Sequence, residues 1–245
     1  MAIELRTDAI AVQITPERGA DITQLIHRPS GINLFAQSPT GQVTNTHASW
    51  SDSKAQWLNG YPGGWQLLVP NASTEREWDG VIQGFHGEAS LATWTVLSQG
   101  VDHCELETYL LTAPLHLHRT ITVTESHLSV TDRITNLSPE STTFRLCQHP
   151  AFGQDFLGDG SYLVTTAGRF IADAENTGSL AKPNATGAPA DVLSPGPVPH
   201  SVSLPDPESG DSLAGVLMEF EPVSDDDPTV SVTFVSPRTQ LAATL

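Results

Sequence analysis

The chain has 245 residues, 38% of them hydrophobic, which is enough to bury a substantial core, and its length reads as one domain over 1–245. With 28 acidic against 11 basic residues the formal charge is -17, which excludes a nucleic-acid phosphate backbone or an anionic bilayer as a natural partner. The same sign, with Lys54 and Lys182 as the only lysines, points to a neutral small molecule as the ligand.

The opening run "MAIELRTDAIAVQITPERGA" has no basic segment followed by an apolar one, and no stretch approaches the roughly 18 apolar residues of a membrane span. A soluble, cytoplasmic protein is expected. From there the pattern has period two: "IAVQITP" and "ADITQLIH" read as strands. Residues 57–73, "WLNGYPGGWQLLVPNAS", set Trp57, Tyr61 and Trp65 among glycines, prolines and amides. Such a composition suits laying apolar sugar faces on aromatic rings while amides take the hydroxyls, although core packing is the more ordinary use of these rings. The sequons at Asn71, Asn136 and Asn184 have no secretory context and are read as chance.

In "GFHGEASLATW", His86 lies between Phe85 and Gly87 just before a strand, where a single histidine usually serves structure. The run "HCELETYLLT" continues the strand pattern, and "RTITVTESHLSVTDRITNLSPESTTFRLCQHPAF" alternates through Ile121, Val123, Leu128, Val130, Ile134, Phe144 and Leu146. Turns at "TESH" and "NLSPE" make it a three-strand antiparallel meander. Its third run puts Thr143, Arg145, Cys147 and His149 on one polar face, with Phe144, Leu146 and Gln148 on the other. Pro150 bars His149 from helical angles and so aims the imidazole at one defined face; simple solvent exposure is the competing explanation. Cys104 and Cys147 belong to no CxxC motif and read as reduced, partly buried thiols.

Downstream, "SYLVTTA", "LAGVLMEFE" and "TVSVTFVS" read as strands, and "SDDDP" at 224–228 as a solvated acidic turn. The stretch 182–207 holds seven of the 18 prolines, lacks periodicity and reads as a long surface loop, with His200 and Asp191 within it. No segment offers an amphipathic helix of three turns. The fold class is therefore all-β, a large antiparallel sandwich or barrel.

Taken together, "ERGADITQLIHRPSGINLF", "GGWQLLVPNAS", "HGEASLATWTV" and "LSVTDRITNLSPESTTFRLCQHPAFG" resemble, in order and spacing, the aldose 1-epimerase (galactose mutarotase-like) family over about residues 10 to 170. The resemblance implies a large β-sandwich, the galactose mutarotase-like supersandwich, holding a free sugar. It implies that His149 is the general acid protonating the ring oxygen, and that His86 orients the pyranose. Asn71 stands where many members carry an arginine nearby, and with Trp65 and Arg145 completes the expected sugar-binding set. Imidazole, with an ordinary pKa of about 6.5, can give and take protons at neutral pH, so no metal or other cofactor is required.

The family's general base is a glutamate near the C-terminus, and here no glutamate follows Glu221. The resemblance thus implies a chain lacking the family's C-terminal strands, or a different carboxylate as base, or a protein that binds sugars without converting them. Glu75, Glu77, Glu88, Asp155 and Asp159 are the carboxylates near the motifs, each more ordinary as a solvated loop residue. A cupin-like metal site on His116, His118, Glu125 and His149 is the rival all-β reading, weakened by the missing glycine-flanked motif. A serine hydrolase is disfavoured because no GxSxG occurs.

Overall fold

The computed structural model describes residues 2–38, 52–176, 178–222 and 230–245; the acidic turn expected at 224–228 lies outside them. The stretch read from sequence as one domain groups into two compact units, 1–152 and 153–245. Both are built from antiparallel strands, as the period-two pattern requires.

In the first unit, β1 (Ile3–Arg6), β2 (Ile10–Thr15), β3 (Asp21–His27), β4 (Ile32–Asn33), β5 (Trp65–Leu68) and β12 (Cys147–Pro150) form one sheet, in the order β1-β2-β3-β5-β12 with β4 beside β3. A second sheet runs β11-β10-β9-β8, from β8 (Thr95–Gln99), β9 (His103–Tyr109), β10 (Leu115–Thr124) and β11 (His127–Asn136). Alternate residues of the two sheets meet in a single core: Leu5, Val12, Ile14, Ile22 and Leu67 from the first, Leu106, Leu115, Leu117 and Ile121 from the second. This is the expected sandwich, with layers held by interdigitating apolar faces. The short hairpin of β6 (Arg76–Trp78) and β7 (Val81–Gln83) stands apart from both sheets, and α1 (Ser53–Gly60) is a two-turn helix.

Two expectations need correction. The hairpin of β10 and β11 forms with its full register from Leu115↔Asn136 to Thr124↔His127, but the third strand does not continue that meander. Asn136 accepts from Ser138 N and donates to the Glu140 carbonyl, closing a side-chain-bonded turn, after which the chain runs irregularly to Leu146 and pairs β12 with β5 instead. Alternation fixes which face a residue takes, not which neighbour its strand finds. The Pro-rich stretch is likewise more than loop. It contains β15 (Thr186–Gly187), α2 (Pro189–Val192) and β16 (Ser201–Ser203), and buries Leu193 and Val202.

The second unit has a sheet ordered β16-β13-β18-β19, from β13 (Tyr162–Thr165), β18 (Val232–Ser236) and β19 (Leu241–Thr244), and another ordered β15-β14-β17, from β14 (Ala167–Ala172) and β17 (Gly215–Phe220). Leu163, Phe170, Ala172, Ala181, Leu193 and Val202 make its core. Glu221 follows the last residue of β17, in this unit.

Candidate functional site

The pairing of β12 with β5 places the motif histidine. Cys147↔Leu68, Gln148↔Leu67, His149↔Gln66 and Pro150↔Trp65 are register partners. Directly opposed residues share a face, so His149, Cys147, Gln66 and Leu68 lie on one side of the sheet and Gln148, Pro150, Trp65 and Leu67 on the other. The imidazole is half-buried, not simply solvated.

On that side the imidazole joins a cluster of rings. His86 lies 5.5 Å from His149 between centroids, and Trp57 meets His86 at 4.6 Å and His149 at 5.8 Å, both edge-on. Tyr61 stacks on Trp57 at 4.6 Å and reaches the His149 ring at 5.9 Å, and Phe85 stacks on His86 at 3.9 Å. Apart from the closer contact of Phe85 with its chain neighbour His86, these centroid separations fall within the range of favourable aromatic pairs. Two imidazoles beside a tryptophan and a tyrosine combine groups that can carry protons with apolar planes that can support a sugar ring.

Local sequence explains how each ring arrives. Asp52 caps α1, its carboxylate accepting from Lys54 N and Ala55 N at 3.0 Å, and Pro62 prevents the helix from passing Tyr61. Arg18 Nη2 donates to the Trp57 carbonyl at 3.3 Å, a cation at a helix C-terminus. Ser53 Oγ accepts from Phe85 N and donates to Glu75, tying the start of α1 to the loop carrying His86. His86 itself sits at φ 59 and Gly87 at φ 75. A Cβ on Gly87 would approach the Val69 and Asn71 carbonyl oxygens to 2.5 and 2.6 Å, so only glycine lets this loop lie against the end of β5.

Beneath the cluster lies a residue the sequence did not single out. Asp21, 0% exposed, accepts from Gln66 Nε2 at 2.6 Å, and Gln66, also 0% exposed, is the register partner of His149. Burial pushes the Asp21 carboxyl up to about 7, against the lowering influence of the Gln66 bond and of the Arg18 and Arg119 charges. Asp21 Oδ1, Gln66 Oε1 and Arg18 Nε have no hydrogen-bond partner among the described residues. Burial, with the Asp21 charge adding to it, raises the Tyr61 phenol, so that ring stays a neutral hydroxyl. Burial also raises the Cys147 thiol, which favours its protonated form.

Of the other expected site residues, Trp65 is not brought to the imidazoles. Strand alternation turns it to the opposite face, where Nε1 donates to Gln148 Oε1 at 2.8 Å. Gln148 Nε2 donates onward to Asp132 at 3.0 Å, and Asp132 is paired with buried Arg119. Asn71 is fully buried and spends its amide on three carbonyls, those of Ser73, Thr74 and Gly84, so it organises the loop bearing His86. Arg145 is exposed, with its backbone N–H bonded to the Pro70 carbonyl.

Glu88, His116 and His118 have local uses. Glu88 accepts from Leu111 N, Thr112 N and the Thr112 hydroxyl, holding a turn. His116 pairs with Glu107 at 2.9 Å and His118 with Glu105 at 3.8 Å across the hairpin of β9 and β10. Among the described residues no three His, Cys, Asp or Glu side chains gather as a metal ion would require.

A family described as "Domain of unknown function (DUF4432)" matches residues 1–245. A search of curated proteins finds no significant match. The galactose mutarotase related enzyme from Lactobacillus acidophilus superposes with a TM-score of 0.67 at 15% identity, covering 100% of this chain and 76% of that one. A galactose mutarotase-like protein from Lactobacillus casei gives 0.61 at 17%, covering 100% and 78%. The GalM/aldose epimerase homologue from C. elegans gives 0.55 at 13%, covering 99% and 77%. At these identities the likeness shows the fold, which is galactose mutarotase-like.

Proposed function

This chain belongs to the DUF4432 family, and from that footing we propose that it is an aldose 1-epimerase, interconverting the α and β anomers of an aldose. The observation that carries the reading is the juxtaposition of His149 and His86, 5.5 Å apart, with Trp57 and Tyr61 against them. In the reaction His149 gives its proton to the ring oxygen as the bond from that oxygen to C1 breaks, while the hydroxyl at C1 gives its proton to a solvent water and becomes the aldehyde. Rotation about the bond from C1 to C2 exposes the other carbonyl face, and the ring hydroxyl adds back, returning its proton to His149 as the carbonyl oxygen takes one from the hydronium and becomes the new C1 hydroxyl. His86 donates to a sugar hydroxyl, and Trp57 and Tyr61 hold the pyranose by its apolar edge. Atoms and protons balance without a cofactor.

A second reading, binding without conversion, is favoured by one observation: Asp21, the carboxyl bonded beneath the cluster, is fully buried and cannot touch the hydroxyl at C1. Polarimetry on a panel of freshly dissolved α-aldoses, glucose and galactose among them, separates the two. The expected result is a faster approach to anomeric equilibrium, slowed at least about a hundredfold in His149→Ala, the scale of a lost general acid. A variant as fast as the parent rejects His149 as the acid. A parent that binds sugars but leaves the anomers unexchanged supports the second reading.

A further inference from the structure

In a chain where acidic residues outnumber basic ones 28 to 11, most arginines find a carboxylate. Arg6 reaches Glu4, Arg28 Asp8, Arg119 Asp132, Arg169 Glu219 and Arg238 Glu208. Arg18, Arg76, Arg133 and Arg145 do not, and of these Arg76 and Arg145 stand together: among the described residues no carboxylate lies within ion-pair distance of either. Both are bonded to the Pro70 carbonyl, Arg76 through Nη2 and Arg145 through its backbone N–H, and after burial the charge of Arg145 lowers the Arg76 guanidinium. Two like charges held together without a counterion raise the energy of the empty protein, and an anion between them relieves it.

Arg76 is also fixed in place. Its Nε donates to Gln83 Oε1 at 2.9 Å, one Nη donates to the Pro70 carbonyl at 3.2 Å, and its guanidinium lies 4.9 Å over the Trp78 ring. Gln83 is itself buried, so this is a pre-organised donor with its second Nη uncommitted. Arg145 N binds the same Pro70 carbonyl at 2.8 Å, extending the pairing of β12 with β5. The arginine pair therefore stands at the end of the two strands that carry His149 and Gln66, next to Asn71, whose amide organises the loop of His86. His149 is four positions beyond Arg145, roughly 13 Å of extended chain. A long arginine side chain and a substituted pyranose can span that distance between them.

We propose that Arg76 and Arg145 form an anion subsite, and that the aldose taken by this protein bears an acidic substituent, a carboxylate or a phosphate. The inference rests on the sugar reading above and amends the neutral ligand drawn from net charge. That charge acts at long range and is screened beyond about 8 Å at physiological salt, whereas guanidiniums in contact with an anion are not.

Calorimetric titration with glucose, glucuronate, glucose 6-phosphate and inorganic phosphate tests it. The parent should bind one of the two acidic sugars about tenfold or more tighter than glucose, with the preference weakening as salt is added. Which acid wins distinguishes carboxylate from phosphate. The double variant R76Q/R145Q should lower affinity for that acid to the level of glucose. Since Gln83 and Pro70 lean on Arg76, the single variant Arg145→Gln, altering an exposed side chain, tests the same loss if the double variant does not fold. Equal affinity for glucose and both acids, or a preference that survives Arg145→Gln, overturns the proposal. Polarimetry keeps the two readings apart: arginine-dependent binding of an acidic sugar without anomer exchange removes the epimerase and leaves the subsite, and glucose exchange with no acid preference does the reverse.

Discussion

Replacing Asp21 by asparagine keeps the shape of a fully buried side chain and removes its ionisation. The carboxyl is pushed from an ordinary 3.8 up to about 7 because burial disfavours its charged form. Each pKa unit separates the two protonation states by about 1.36 kcal/mol, so a rise of roughly three units corresponds to something on the order of 4 kcal/mol. Between the two values the folded chain holds a proton at Asp21 that the unfolded chain has released. Stability therefore falls as pH rises from about 4 to about 7 and loses no more from this group above that window. The neutral acid also suits its surroundings: the carboxyl takes one donated hydrogen bond, from Gln66 to Oδ2, and its Oδ1 has no hydrogen-bond partner among the described residues. The groups acting on it are Arg18, Arg119 and Gln66, and it in turn acts on Tyr61. Urea unfolding of parent and Asp21→Asn across about pH 4.5 to 8.5 isolates the effect, since other titrating groups are common to both chains. The variant should match the parent at the acid end and exceed it by several kcal/mol at the alkaline end. A difference independent of pH would refute the assignment of the burial cost to Asp21.

The remaining expectations concern the frame of the site. Asn71→Ala removes three donated hydrogen bonds and should lower stability by about 2 to 3 kcal/mol in thermal or urea unfolding, while leaving the relative affinities for different sugars unchanged. A change in sugar preference with full stability would return Asn71 to the ligand. Gly87→Ala sets a Cβ against two carbonyl oxygens at positive φ, and should cost more than about 2 kcal/mol and weaken ligand binding by displacing His86; calorimetry of the variant checks both.

What the sequence carried and what it withheld divide along a physical line. The alternation of β10, with Leu115, Leu117, Ile121 and Val123 inward, is a local property, and the structure reproduces it. His149 and His86 stood out in the sequence because proline and glycine restrict the backbone on the spot, and the structure sets their rings 5.5 Å apart. Trp65 was misplaced for a related reason: aromatics close in sequence invite one reading, but Trp57 sits on α1 and Trp65 on β5, and the strand's period sends Trp65 to the far face. Asp21 left almost no signal, since an aspartate at a strand's first position usually marks a solvated turn. Its burial depends on Gln66, which lies 45 residues further on. A polar pair inside "ADITQLIH" and "GGWQLLVP", one residue from the apolar positions Ile22 and Leu67, is the trace that could have drawn attention to it.

The two faces of β5 explain how hydrogen bonds make the site rigid. On the far face, Trp65 donates to Gln148, Gln148 to Asp132, and Asp132 takes both Nε and Nη2 of Arg119, whose other Nη donates to the carbonyl of Ala20. That chain of bonds crosses from the first sheet to the second and back to the residue preceding Asp21. On the near face, Asp21 and Gln66 support His149 through the strand register. Arg119 is thus shared between the faces, paired with Asp132 and felt electrostatically by Asp21. A buried arginine that lost its carboxylate would be strongly destabilising, so the geometry of the far face is held tightly. Because adjacent residues of one strand point to opposite faces, that tightness passes directly to Gln66 and His149, whose neighbours Trp65 and Gln148 are members of the bonded chain.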